Sequence, residues 1–240
     1  MRIIRYLPDA VTSMNLLCGI LGVAAAFSGN IDTAFILMLA AAVFDFCDGF
    51  CARALDAYSD FGKELDSLSD MVSFGVLPSM MMYVMMTGLF GRGAICSVPL
   101  IIAVFSGLRL AKFNVDSRQS ESFLGLATPA CAMICGSLCC CLLHHPQSLL
   151  SSLAEWKFFI PALSVALSAM LVCELPMFSM KIKKGAPRSE TLKRIVFLAL
   201  SALAAVSVLL CGAYWAAVVL CVFVIYILMN IVCAILPKRL

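Results

Sequence analysis

Residues 31–53 read Ile31-Asp-Thr-Ala-Phe-Ile-Leu-Met-Leu-Ala-Ala-Ala-Val-Phe-Asp45-Phe-Cys-Asp48-Gly49-Phe-Cys-Ala52-Arg53. An uninterrupted apolar run, 34–44, ends in two acids three residues apart. Such a run is long enough to belong to a helix buried in lipid, and its acids mark where that helix meets a polar site. The whole chain has the same character: of 240 residues, 63% are hydrophobic and 13% are charged. A soluble domain is near half apolar and a quarter charged. An ordinary soluble enzyme and a disordered chain are therefore excluded. A net charge of +3 over this length also makes no basic surface for nucleic acid.

Apolar runs broken by Gly, Pro, Asn or charge predict eight membrane-spanning helices, near 11–28, 32–56, 66–89, 94–113, 124–143, 157–178, 191–211 and 213–236. Very short connections at Gly29-Asn30, Gly91-Arg92-Gly93 and Gly212 join antiparallel neighbours. The expected fold is an all-α polytopic bundle forming a single domain over 1–240. The first ten residues, with Arg2 and Arg5 among bulky apolar side chains, predict a short N-terminal helix lying in the membrane interface. Basic residues orient the bundle. Of 17 Lys and Arg, all but Arg92 and Lys157 fall on the side that holds both termini, so this side is expected to face the cytoplasm across the inner membrane. Most of the 13 cysteines lie inside apolar runs, as Cys131, Cys135, Cys139, Cys140 and Cys141 do, and read as packing residues. His144 and His145, beside Pro146, read as loop.

Seven of the 14 acids lie between 45 and 70. Asp45, Asp48, Gly49 and Ala52 share one face of the second helix, and Gly62, Asp66 and Asp70 share one face of the third. The turn between the helices brings these faces together, so Asp45, Asp48, Asp66 and Asp70 converge. Four like charges cannot all ionise in a half-dry site without counterions. An all-oxygen set suits Mg²⁺ or Mn²⁺, and two ions would give the arrangement used in phosphoryl transfer. Gly49 and Ala52 leave backbone open to a flat nucleotide or a diphosphate, and Arg53 is one turn away to pair with phosphate. Asp56, Asp60 and Glu64 read instead as a solvated helix end.

The pattern Asp45-x2-Asp48-Gly49-x2-Ala52-Arg53-x8-Gly62-x3-Asp66-x3-Asp70 resembles the signature of the CDP-alcohol phosphatidyltransferases at every fixed position. Further segments resemble the branch of that family whose acceptor is L-serine. These are Leu7-Pro-Asp-Ala-Val-Thr12 with Asn15, Ser73-Phe-Gly75, Arg109-Leu-Ala-Lys-Phe-Asn114 and Gly125-Leu-Ala-Thr-Pro-Ala130. The branch more often has Arg where Lys112 stands and Pro where Ala127 stands.

The resemblance implies transfer of a phosphatidyl group from CDP-diacylglycerol to serine, with CMP leaving. It assigns Asp45, Asp48 and Asp66 to the metals, and Asp70 both to the metals and to the general base. It places Asp48, Gly49, Arg53, Ser59 and Gly62 at the cytidine diphosphate. Thr12 and Asn15 either contact the diphosphate or ribose, or serve as ordinary caps and helix–helix hydrogen bonds. The resemblance also implies a homodimer. Serine carries a carboxylate, so the acceptor pocket should hold a cation, and Arg109 and Lys112 are the candidates. Lys181, Lys183, Lys184 and Arg188 read as a contact with anionic lipid headgroups. Two other readings remain open. One is a sister enzyme using glycerol 3-phosphate or an inositol phosphate, which calls for a stronger arginine pocket. The other is a divalent-cation transporter, which calls for acids spread near the midplane of several helices.

Overall fold

The computed structural model describes residues 6–115, 123–177 and 188–235. The first hairpin comprises α1 (Leu7–Phe27) and α2 (Ile31–Ala54), joined at Gly29, whose φ of 81° lies in the left-handed region that favours glycine. A continuous helix, Asp60–Phe90, follows. It consists of α3 (Asp60–Asp70), a π-helical turn (Met71–Val76) and α4 (Leu77–Phe90). A 3₁₀ turn, Ala94–Leu100, leads into α5 (Ile101–Val115). Then come α6 (Thr128–His144), the short α7 (Leu149–Ala154), α8 (Phe159–Val172), α9 (Arg188–Leu210) and α10 (Ala216–Ile235).

Six of these helices are long and apolar enough to cross a membrane: Leu7–Phe27, Ile31–Ala54, Asp60–Phe90, Ala94–Val115, Thr191–Leu210 and Ala216–Ala234. The all-α membrane bundle expected from the sequence is therefore present. Two of the eight expected spans are shorter apolar helices, α6 with 17 residues and α8 with 14. The reason lies at their ends. Strand β1 (Phe123–Leu124) pairs antiparallel with β2 (Pro176–Met177), and the Leu126 amide donates to the Met170 carbonyl at 2.8 Å. Chain expected to be helical is extended there, and Gly125 turns it with a φ of 75°.

The third span also begins earlier than expected, at Asp60. Ser59 caps it, its Oγ accepting from the Gly62 amide at 2.9 Å. The expected N-terminal interfacial helix falls only partly within the described residues. Residues 7–10 are the first turn of α1, and residues 1–5 lie outside the described residues, as do Arg118 and the basic cluster at 181–184.

Helix α6 is apolar all round and buried all round, from Ala130 to Leu142, so it forms the centre of the bundle. All 13 cysteines are free thiols, and Cys131, Cys135, Cys139, Cys140 and Cys141 are buried along α6, in the packing role read from the sequence. Of the two histidines read as loop, His145 lies in the connection and His144 does not. His144 ends α6, and its Nε2 sits 2.8 Å from Asp32 Oδ2 of α2, while Tyr214 of the α9–α10 turn donates to Asp32 Oδ1 at 3.1 Å. The Tyr214 amide in turn donates to His145 Nε2 at 2.7 Å.

The other end of the bundle is tied by α1 and the Asp60–Phe90 helix. Ser69 Oγ donates to the Thr12 carbonyl at 3.3 Å and Ser73 Oγ to the Asn15 carbonyl at 3.0 Å. These hydroxyls reach main chain because the helices run close. A Cβ on Gly19 would lie 3.0 Å from Ser73 Cα and 3.1 Å from its amide nitrogen.

Gly19→Ala should therefore force the two helices apart and lower stability by about 1–3 kcal/mol, as overpacking does. Gly88→Ala, on an exposed stretch of α4 with nothing within 4 Å, should be neutral or stabilising by up to about 1 kcal/mol. Thermal unfolding of the two variants in detergent compares them directly.

Candidate active site

The acids gather where α2 ends and α3 begins. Asp45 and Asp48 lie on adjacent turns of one face of α2, and the 55–59 turn folds α3 back across that face. The turn is tight: Asp56 takes a φ of 47°, and the Ala57 amide donates to the Ala52 carbonyl at 3.1 Å. Asp45, Asp48 and Asp66 each bring a carboxylate oxygen within 4.8 Å of the others. Asp48 Oδ2 and Asp66 Oδ1 are buried without a hydrogen-bond partner. Buried carboxylate oxygens are normally satisfied. Three convergent acids with two orphaned oxygens are a donor set suited to a divalent cation, so the residues present fit a metal centre.

Asp70 stands one turn beyond Asp66, outside that trio. Asn15 Nδ2 donates to Asp70 Oδ1 at 3.4 Å, and Asn15 itself is fully buried, its Oδ1 unpartnered. Thr12 is buried as well and donates to the Pro8 carbonyl at 3.0 Å. Asp56, Asp60 and Glu64 are exposed, as their solvated reading requires.

Two cavities flank α3. The first, about 200 Å³, is lined by Pro8, Asp9 and Thr12 of α1, Asp48, Gly49 and Ala52 of α2, residues 57–59 of the turn, and Gly62, Lys63 and Asp66. Its glycines have different reasons. A Cβ on Gly62 would lie 2.9 Å from Asp9 Oδ1 and 3.0 Å from Ser59 Oγ. A Cβ on Gly49 would meet nothing nearer than Arg53 Nη1 at 3.8 Å. Protein packing does not require Gly49, so its missing side chain leaves room in the cavity. Arg53 is exposed beside Gly49 and is not part of the cavity wall.

The second cavity, about 280 Å³, lies between α3, α5 and α6. Lys63, Asp66, Ser67 and Asp70 face Arg109, Asn114 and Thr128 across it. Arg109 is 8% exposed; Nη1 donates to Thr128 Oγ1 at 2.8 Å and Nε has no partner. Lys112 does not line this cavity: its Nζ pairs with Glu174 Oε1 at 3.1 Å, on the exposed side of α5.

Asn114 Nδ2 donates to Ser67 Oγ at 2.9 Å, and Lys63 Nζ donates to the Asn114 carbonyl at 3.4 Å, lacing α3 to the end of α5. Lys63 and Asp66 line both cavities. The sequence singled out no role for Lys63, Asp9, Tyr58 or Ser67, all of which stand in the cavity walls. Helical spacing is the signal for three of them, since Asp9 is three residues before Thr12, Lys63 three before Asp66 and Ser67 three before Asp70; Tyr58, in the turn, carries no such signal.

An acidic centre at the end of an apolar helical bundle, with a cavity on each side of one helix, has room for two ligands beside a cation. A match to the CDP-alcohol phosphatidyltransferase family covers residues 5–172, and the chain belongs to that family. Among its relatives is the CDP-diacylglycerol–serine O-phosphatidyltransferase of Bacillus subtilis (strain 168), 38% identical over 130 residues, which are 54% of this chain and 72% of the relative. The enzyme of the same name from Mycobacterium tuberculosis (strain ATCC 25618 / H37Rv) is 32% identical over 210 residues, 85% of this chain and 71% of its own. The archaetidylserine synthase of Methanothermobacter thermautotrophicus is 38% identical over 134 residues, 55% of this chain and 56% of the relative.

Divalent cation should raise the thermal stability of the purified protein. Asp48→Asn and Asp66→Asn should each shift that titration to at least tenfold higher cation concentration. An unshifted titration in both would place the cation elsewhere.

Proposed function

We propose that this protein transfers the phosphatidyl group of CDP-diacylglycerol to the hydroxyl of L-serine, giving phosphatidylserine and CMP. The first cavity takes the cytidine diphosphate, with Thr12, Asp48, Gly49, Ser59 and Gly62 around it and Arg53 at its rim. The second takes serine. The observation that carries the acceptor is Arg109, a buried guanidinium with an unpartnered Nε in the wall of a cavity that also holds Asp70. A buried charge needs a partner, and an α-carboxylate supplies one. The names of the bacterial relatives point the same way. Lys112, engaged with Glu174, stands outside this reading of the acceptor site.

Asp70 is the general base. Asn15 holds one of its oxygens, and the cavity wall presents the carboxylate to the serine hydroxyl, from which it takes the proton as the oxygen attacks phosphorus. Asp45, Asp48 and Asp66, with Asp70 beside them, would hold one or two Mg²⁺ or Mn²⁺ ions. When bound, the metal neutralises the diphosphate, polarises phosphorus and stabilises the leaving phosphate. The acyl chains stay in lipid, so the reaction runs at the membrane surface. The distribution of basic residues supports the cytoplasmic face of the inner membrane as that surface. The family resemblance supports a homodimer.

Membranes containing the protein, supplied with CDP-diacylglycerol, Mg²⁺ or Mn²⁺ and labelled serine, should release CMP and label phosphatidylserine. Release only with glycerol 3-phosphate or an inositol phosphate would refute the serine assignment, and no release with any alcohol would refute the enzyme. Arg109→Gln should raise the KM for serine at least tenfold while leaving that for CDP-diacylglycerol within about twofold. Asp70→Asn should lower kcat by about 10²–10⁴, the range of a lost general base. Near-normal turnover in that variant would remove Asp70 from the role.

A further inference from the structure

We propose that Asp9 selects the base of the nucleotide, its carboxylate accepting a hydrogen bond from the 4-amino group of cytosine. This rests on the transfer reaction proposed above.

The first cavity has two chemically different ends. Asp48 and Asp66 stand at one, where cations and the diphosphate must lie. Along α3, Ser69 meets Thr12 whereas Gly62, nearer the start of the helix, meets Asp9 and Ser59, so the first turn of α1 and the 57–59 turn lie away from Asp66, and the nucleoside is assigned there. Asp9 belongs to that second end. Its Oδ1 occupies the space beside Gly62 and the Ser59 hydroxyl, where a Cβ on Gly62 would come within 2.9 Å of it. Gly62 thus leaves a niche that the carboxylate fills.

The carboxylate makes no hydrogen bond or ion pair with any described residue. Only the main-chain carbonyl of Asp9 is engaged, by Ser13 Oγ at 2.8 Å. An acid in the first turn of a helix is favoured by the helix dipole. That role needs only the charge, and it leaves both the niche at Gly62 and the place in the cavity wall unexplained.

The chemistry of the pyrimidine edge completes the assignment. Cytosine carries an amino donor at position 4, and uracil carries a carbonyl acceptor there. An ionised carboxylate only accepts hydrogen bonds. It therefore pairs with cytosine and repels uracil, the same pairing by which Asp and Glu read cytosine in nucleic acids. The other acids of the cavity, Asp48 and Asp66, are committed to the metal end. Tyr58, 70% exposed at the same end of the cavity, offers a ring on which a base can stack.

The test uses the full chain in detergent with Mg²⁺, and CMP, UMP and 2′-deoxy-CMP as probes, read by the nucleotide concentration that raises thermal stability. Wild type should respond to CMP at a concentration at least tenfold below that for UMP. Asp9→Asn should narrow this ratio about tenfold, chiefly by weakening CMP, and 2′-deoxy-CMP should follow CMP in both proteins. If Asp9→Asn fails to fold, Gly62→Ala, which intrudes on the niche, should narrow the same ratio.

An unchanged ratio in a folded variant overturns the inference and leaves the transfer reaction standing. A change confined to the preference between CMP and 2′-deoxy-CMP also overturns it, since Asp9 would then read the ribose. Wild-type protein that responds to none of the three nucleotides overturns both.

Discussion

Carboxylates crowded together at the end of an apolar bundle repel one another, and the surrounding structure has to hold them in place. At about 4 Å, two like charges in surroundings of effective dielectric near 20 cost about 4 kcal/mol. Asp45, Asp48 and Asp66 meet within 4.8 Å. Arg109, the buried cation nearby, donates to Thr128. The restraint comes from packing. The hydroxyls of Ser69 and Ser73 clip the acidic helix to the main chain of α1, and Ser59 and the tight turn at Asp56 fix its start. Apolar burial along α6 and close helix contacts at Gly19 stabilise an arrangement that its own charges oppose. This is the expected compromise at a functional site, where local stability is given up for a prepared cation centre.

The π-helical turn directly after Asp70 belongs to the same arrangement. In it, Ser73, Phe74 and Gly75 are all buried, three in succession. Ser73 reaches α1, while a Cβ on Gly75 would come within 3.1 Å of Ser106 on α5. A turn wider than an α-turn lets one helix touch neighbours on two sides at one level, and π turns often occur beside functional residues. The acids can therefore face α2 while the helix above them is gripped by both α1 and α5.

The bundle was legible in the sequence because lipid allows few alternatives: apolar runs of sufficient length become helices. The acids were legible because their three- and four-residue spacing survives folding unchanged along α2 and α3. The ends of α6 and α8 were not, since the pairing of Phe123–Leu124 with Pro176–Met177 joins residues about fifty apart, and no local pattern announces it. Lys112 illustrates a different limit. Its charge and position suggested an acceptor contact, but the direction of its side chain depends on Glu174, which a reading of α5 alone does not bring near. The places of Asp9 and Lys63 in the cavity walls stayed hidden for the same reason, because each depends on a neighbouring helix.

Lys63 and Asp66 stand in the walls of both cavities, so the partition between them is one helix face thick. A ligand that draws the Lys63 ammonium away from the Asn114 carbonyl on one side reshapes the chamber on the other. Thermodynamic linkage makes that influence mutual: whatever factor occupancy of one chamber applies to affinity in the other is returned in full. Any coupling between ligands held in the two chambers is therefore reciprocal.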